Sequence, residues 1–201
     1  MKKTCKAFLL MFAALLLMAG CGQTLPAAAP DAQNGLLTVT FDFQRQSGYA
    51  SNQFAVWIEN ADGALIKTLY ATRFTAEGGY KDRPDAIPVW VERSGLQDLS
   101  KVDTITSATP SSGTLSYIWD LTDTSGARVP DGTYRFCVEG TLRWKNSVLY
   151  IGEIEVGAKQ ASADAAAEYH YEASAVQAAL ADDAPEHNMI GPVSAQYTPP
   201  A

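Results

Sequence analysis

The sequence predicts an all-β protein, an antiparallel sandwich with a loose segment at each end, and three observations carry that expectation. From Leu36 to about Val156, short apolar runs rich in β-branched and aromatic residues recur between turn signals. Leu37-Thr38-Val39-Thr40-Phe41-Asp42-Phe43 alternates strictly, which places Leu37, Val39, Phe41 and Phe43 on one face of a half-buried strand. Phe54–Ile58 and Leu65–Tyr70 flank Asn60-Ala61-Asp62-Gly63, and Asp-Gly between strand-like runs marks a hairpin, because glycine takes a positive φ without steric cost.

Further strands are expected over Thr114–Leu121, Gly132–Gly140 and Val148–Val156. Arg83–Arg93 suits a short helical turn, its two prolines forbidding a long one, with Trp90 plugging one end of the sandwich. The organisation expected is therefore a leader over 1–20, a linker over 21–34, a β-sandwich over 35–158 and an Ala/Pro-rich acidic tail over 159–201. That tail reads as mostly disordered, with a marginal helix around Ala165–Leu180.

The leader has Lys2, Lys3 and Lys6, then an uncharged apolar run from Ala7 to Ala19, the pattern of a signal peptide. At 1.5 Å per residue such a run spans about 20 Å, short of the roughly 30 Å hydrocarbon core, so a permanent membrane span fits less well. Leu17-Met18-Ala19-Gly20-Cys21 resembles the bacterial lipobox, in which small residues precede a cysteine that is diacylated on sulfur before cleavage. The resemblance implies a lipoprotein with a diacylglyceryl group and palmitate-like chains on Cys21, held in the cell envelope by lipid. It would lie on the outer face of the cytoplasmic membrane or in the periplasm, with the membrane and an envelope protein as partners.

Charge narrows the partners. Without residues 1–20, which hold three lysines and no acid, the net charge moves from −7 to −10. Nucleic acid is excluded as a partner, because its binding rests on Lys and Arg neutralising phosphates. Cys5 leaves with the leader and Cys21 takes lipid, so Cys137, in the strand-like Tyr134–Val138, has no disulfide partner and reads as a small buried hydrophobe.

Two longer resemblances follow. Trp119-Asp120-Leu121-Thr122-Asp123-Thr124-Ser125-Gly126-Ala127-Arg128-Val129-Pro130-Asp131-Gly132-Thr133-Tyr134 resembles the hairpin of immunoglobulin-like modules in flagellar hook-capping proteins and secretion-sorting domains. This implies an immunoglobulin-like sandwich, with Trp119 and Tyr134 in the core and Gly126, Pro130 and Gly132 turning the chain. Tyr49–Glu59, Lys67–Leu69, Arg83–Trp90 and Asp103–Pro110 resemble the predicted-periplasmic domain of unknown function 2271. That resemblance implies an envelope β-sandwich and no particular activity.

One string is chemically suggestive. Asp103-Thr104-Ile105-Thr106-Ser107-Ala108-Thr109 is similar to the D-x-x-[S/T]-G-A-T motif of flavin-binding subunits of membrane electron-transfer complexes, with Ser107 in place of Gly and Pro110 following. In that family an exported transferase links FMN through its phosphate to the final threonine, so the resemblance makes Thr109 the acceptor and Asp103 a recognition residue. Read from the residues alone, the same string is a Ser/Thr-rich loop in which Asp103 caps a turn.

Elsewhere the sequence offers no catalytic grouping. His170 and His187 both fall in the expected tail, and Asp120, Asp123 and Asp131 sit in turns, where carboxylates usually bond their own backbone. No metal site, resident cofactor or enzyme activity is therefore expected. The leading expectation is a non-catalytic binding or scaffolding module, and the alternative is a carrier with covalent FMN on Thr109.

Overall fold

The computed structural model describes residues 34–47, 52–96, 106–107, 109–143, 146–170 and 189–200. Ten strands form: β1 Leu36–Phe43, β2 Gln53–Asn60, β3 Leu65–Thr72, β4 Thr106–Ser107, β5 Gly113–Trp119, β6 Gly132–Arg143, β7 Asn146–Val156, β8 Ala161–Asp164, β9 Ala166–His170 and β10 Ser194–Thr198. Two short helices, α1 Arg73–Ala76 and α2 Pro88–Ser94, lie between β3 and β4. A four-stranded sheet runs β5-β1-β10-β8, and a six-stranded sheet runs β4-β3-β2-β6-β7-β9. Every pairing is antiparallel except that of β3 with β4.

The alternation of β1 does what its pattern implies. Leu37, Val39, Phe41 and Phe43 point inward, against Phe54, Val56, Phe136, Val138, Val148 and Tyr150 of the larger sheet. Rings fill the space between the sheets, with Phe54 stacked on Tyr70 at 4.6 Å and Trp119 edge-on to Tyr134 at 5.0 Å. The Asp-Gly hairpin forms as well, with Gly63 at φ 81° and its N–H donated to the Asn60 carbonyl at 3.0 Å.

Two expectations are corrected. The first is the disordered tail over 159–201, with the sandwich ending at 158. The segments Ala161–His170 and Met189–Thr198 belong to the sandwich, and Ala165–His170 is extended where a helix was expected. Strand β10 lies between β1 and β8, so both of its edges are paired. Tyr197 is fully buried and donates its hydroxyl to the Gly157 carbonyl at 2.8 Å, and Met189, Ile190, Val193 and Ala195 join the core. Gly140 makes room for this return: a Cβ there would meet Ile190 Cδ1 at 2.4 Å. Alanine is a poor strand former in isolation, but Ala161 and Ala163 pack inward while Ser162 and Asp164 alternate with them, and tertiary packing outweighs the intrinsic preference. Residues 171–188, which held the rest of the expected helix, lie outside the described residues.

The second correction concerns Trp90. It does not plug an end of the sandwich. It lies on the outer face of the six-stranded sheet, with Ala55, Trp57, Ala71, Cys137 and Leu149. This explains why Phe54-Ala55-Val56-Trp57-Ile58 is continuously apolar instead of alternating: β2 is buried on both faces, one by the opposite sheet and one by the α1–α2 segment.

Candidate functional site

The excursion between β3 and β5 is the part of the chain that departs from a plain sandwich, and buried polar groups on the outer sheet face fasten it. Glu139, on β6, is 1% exposed, and its two carboxylate oxygens accept the N–H groups of Val89 at 3.1 Å and Trp90 at 2.8 Å, in the first turn of α2. Those donors would otherwise lack partners, as first-turn N–H groups do in any helix. Burial pushes the Glu139 carboxyl up to about 7, and the two N–H groups offset only part of that.

Neighbouring groups extend the attachment. Thr141 Oγ accepts the N–H of Ile87 at 2.8 Å and donates to the Asp85 carbonyl at 3.2 Å. The indole N–H of Trp90 reaches Thr68 Oγ at 3.1 Å, and Gln53 Oε1 accepts the hydroxyls of Thr72 at 2.6 Å and Thr75 at 3.1 Å. Glu59, also buried, accepts the indole N–H of Trp57 at 2.8 Å and lies 3.7 Å from the Arg93 guanidinium. Ile87 sits at φ 46°, an unusual conformation for a β-branched residue and one that costs about 1–3 kcal/mol. Pro88 then begins α2, where its missing N–H is no loss.

Fastened in this way, the excursion presents an open cleft of about 340 Å³ lined by Tyr80, Pro84, Pro88, Val91, Glu92 and Gly95. Tyr80 donates its hydroxyl to the Leu96 carbonyl at 3.2 Å, which holds that wall in place. Rings and prolines beside one carboxylate can hold an extended or planar group by contact.

The residues singled out from the sequence are distributed as follows. Cys21 and Asp103 lie outside the described residues. Thr109 is half-buried and comes two residues after β4, whose Thr106 and Ser107 pair in parallel with Ala71 and Thr72 of β3. The motif string therefore supplies the edge strand of the larger sheet, with Thr109 leaving it. Cys137 is fully buried in the outer-face cluster, and its thiol is pushed up by burial and further by the Glu59 carboxylate.

The turn aspartates are engaged locally. Asp120 accepts from Thr122 through its hydroxyl and N–H, and lies 3.4 Å from Lys67 Nζ. Asp123 accepts from Ser125 and Ala127, and the Ser125 hydroxyl is the main reason its carboxyl is lowered. Asp131 pairs with Arg128 at 2.8 Å. His170 is exposed, 3.5 Å from Glu168, while His187 lies outside the described residues. Among the described residues no group of three or more His, Cys, Asp or Glu is placed to hold a metal ion, and no helix is long and apolar enough to cross a membrane.

Sequence reading missed Gln53, Glu59, Thr68, Glu139 and Thr141. A signal existed for two of them: Glu59 ends a continuous apolar run, and Glu139 interrupts another, at positions where a charge must find a buried partner.

Residues 36–173 match a family model described as predicted periplasmic protein (DUF2271). No curated protein and no solved structure matches the chain.

Proposed function

The chain belongs to the DUF2271 family of predicted periplasmic proteins, and from that premise we propose that it is a non-catalytic binding or scaffolding module, tethered to a membrane through lipid on Cys21. The observation that carries this reading is the fastening of the excursion. Glu139, Thr141, Thr68 and Gln53 are all engaged in holding α1–α2 to the sheet, and the product of that attachment is a shaped, open cleft. A rigid scaffold that presents a preformed surface lowers the ordering cost of binding. The lipobox-like Leu17–Cys21 supports the tether. Several acyl chains, each methylene contributing about 0.8 kcal/mol, hold such an anchor stably.

In-cell photocrosslinking tests the role. A photoreactive phenylalanine analogue at Val91, in the cleft, is expected to give a discrete adduct with an envelope partner. The same analogue at Ile118, exposed on the opposite sheet, is expected to give none. Equal labelling at both positions, or none at Val91, refutes the cleft as the working surface. Metabolic labelling with a clickable fatty acid tests the anchor, which fails if label persists in Cys21→Ser.

The placement of Thr109 favours a second reading, a carrier with covalent FMN in extracytosolic electron transfer. An edge strand with a half-buried threonine just beyond it is an accessible substrate for a modifying enzyme. In the reaction, Thr109 Oγ attacks the FMN-side phosphorus of FAD in a transferase site. The Oγ–P bond forms, the P–O bond to AMP breaks, AMP leaves, and the hydroxyl proton passes to the transferase base. Co-expression with a flavin transferase is expected to give a yellow protein heavier by one FMN, and Thr109→Val is expected to lose both properties. An unmodified mass refutes this reading.

A further inference from the structure

We propose that Phe74 and Arg83 form the seat for the ring system of a flavin carried on Thr109, an inference that rests on the covalent-FMN reading above. The parallel pairing of β3 and β4 is the starting point. Parallel strands run out of a sheet at the same end, and Phe74 lies two residues beyond Thr72 just as Thr109 lies two beyond Ser107, the partner of Thr72. Neighbouring strands are only about 4.8 Å apart, so β3 and β4 leave the sheet at one corner, where α1 touches β4.

At that corner stands one of the few large apolar side chains open to solvent among the described residues: Phe74 is 41% exposed. The Gly79 backbone passes close to it. A Cβ at Gly79 would meet the Phe74 carbonyl oxygen at 2.4 Å and the ring atoms Cε1 and Cζ at 2.6 Å, so glycine lets the chain pack this close to Phe74. The guanidinium carbon of Arg83 lies 5.9 Å from the ring centroid. A partly exposed phenyl ring with a planar cation over it is a two-part surface suited to a planar, electron-poor heterocycle.

The pair also has an electronic consequence. When a flavin takes up two electrons and one proton, negative charge remains along N1 and the C2 carbonyl. A guanidinium beside those atoms favours the reduced form, and charge near N1 is a recognised way in which proteins tune flavins. The threonine link would keep the ring within reach of the seat, so that docking becomes an intramolecular event at high effective concentration.

The test uses the full chain co-expressed with a flavin transferase, as wild type, Phe74→Trp and Arg83→Gln, with intact mass read first. All three are expected to carry one FMN. Phe74→Trp is expected to dim the flavin emission severalfold, because an indole stacked on isoalloxazine quenches it by electron transfer. In a dithionite titration, Arg83→Gln is expected to shift the midpoint potential downward. If the three chains are flavinylated but agree in emission and potential, the seat is refuted while the covalent reading stands. If the wild-type chain is unmodified, the covalent reading falls and the seat falls with it.

Discussion

The buried carboxyl of Glu139 makes a quantitative prediction about pH. In an unfolded chain this group titrates near 4.5, and in the folded protein burial pushes it up to about 7. The folded state therefore holds the proton more tightly than the unfolded state, and stability falls as pH rises. The contribution is complete below about 4.5 and lost by about 7. The shift between those values, at about 1.4 kcal/mol per pK unit, amounts to about 3 kcal/mol. Because Glu139 is 1% exposed, solvent screening does not reduce that figure much. Urea unfolding between pH 5 and 8, followed by the emission of the buried Trp57, Trp90 and Trp119, should show the loss. In Glu139→Gln, which resembles the protonated acid, the slope should vanish. Its amide NH2 cannot accept one of the two N–H bonds from α2, so that variant should lie below wild type near pH 5, but its stability should not decline further up to pH 8. The lowered Asp123 works in the opposite sense but only as pH falls into the carboxylate range, below this window. Wild-type stability that is flat or rising from pH 5 to 7.5, or a slope that survives in Glu139→Gln, refutes the reasoning.

Other outcomes follow from packing. Tyr197→Ala, which empties a fully buried ring site and removes the bond to Gly157, should cost about 3–5 kcal/mol by chemical denaturation. Truncation before Met189, which removes the strand between β1 and β8, should abolish the cooperative thermal transition. Cys137, fully buried with a raised thiol, should resist maleimide in the native protein and react fully in denaturant. Gly63→Ala, forced to φ 81°, should cost about 1–2 kcal/mol in a thermal melt.

By itself the sequence determined the strands whose patterns are local. β1 alternates, β2 is a continuous apolar run, and Asn60–Gly63 is a turn, each signalled by neighbouring residues through the two-residue strand period or through a positive φ. The setting of Trp119 and Tyr134 was legible for the same reason, since turn residues bring them together. Tertiary structure alone decided the role of the described residues after Val156. Ala161–Asp164 and Ser194–Thr198 are weak strand formers in isolation, and they are strands because β1 offers an edge to β10, β10 in turn pairs with β8, and the core offers room for Tyr197 and Ile190. The clasp beneath α2 is of the same kind. Glu139 and Val89 are far apart in sequence, and a carboxylate becomes a helix anchor only when folding excludes water around it and brings N–H donors to it. Thr109 stands between these cases: the string that ends on it is a local pattern, but its place just beyond the edge strand of the larger sheet exists only because β4 pairs with β3.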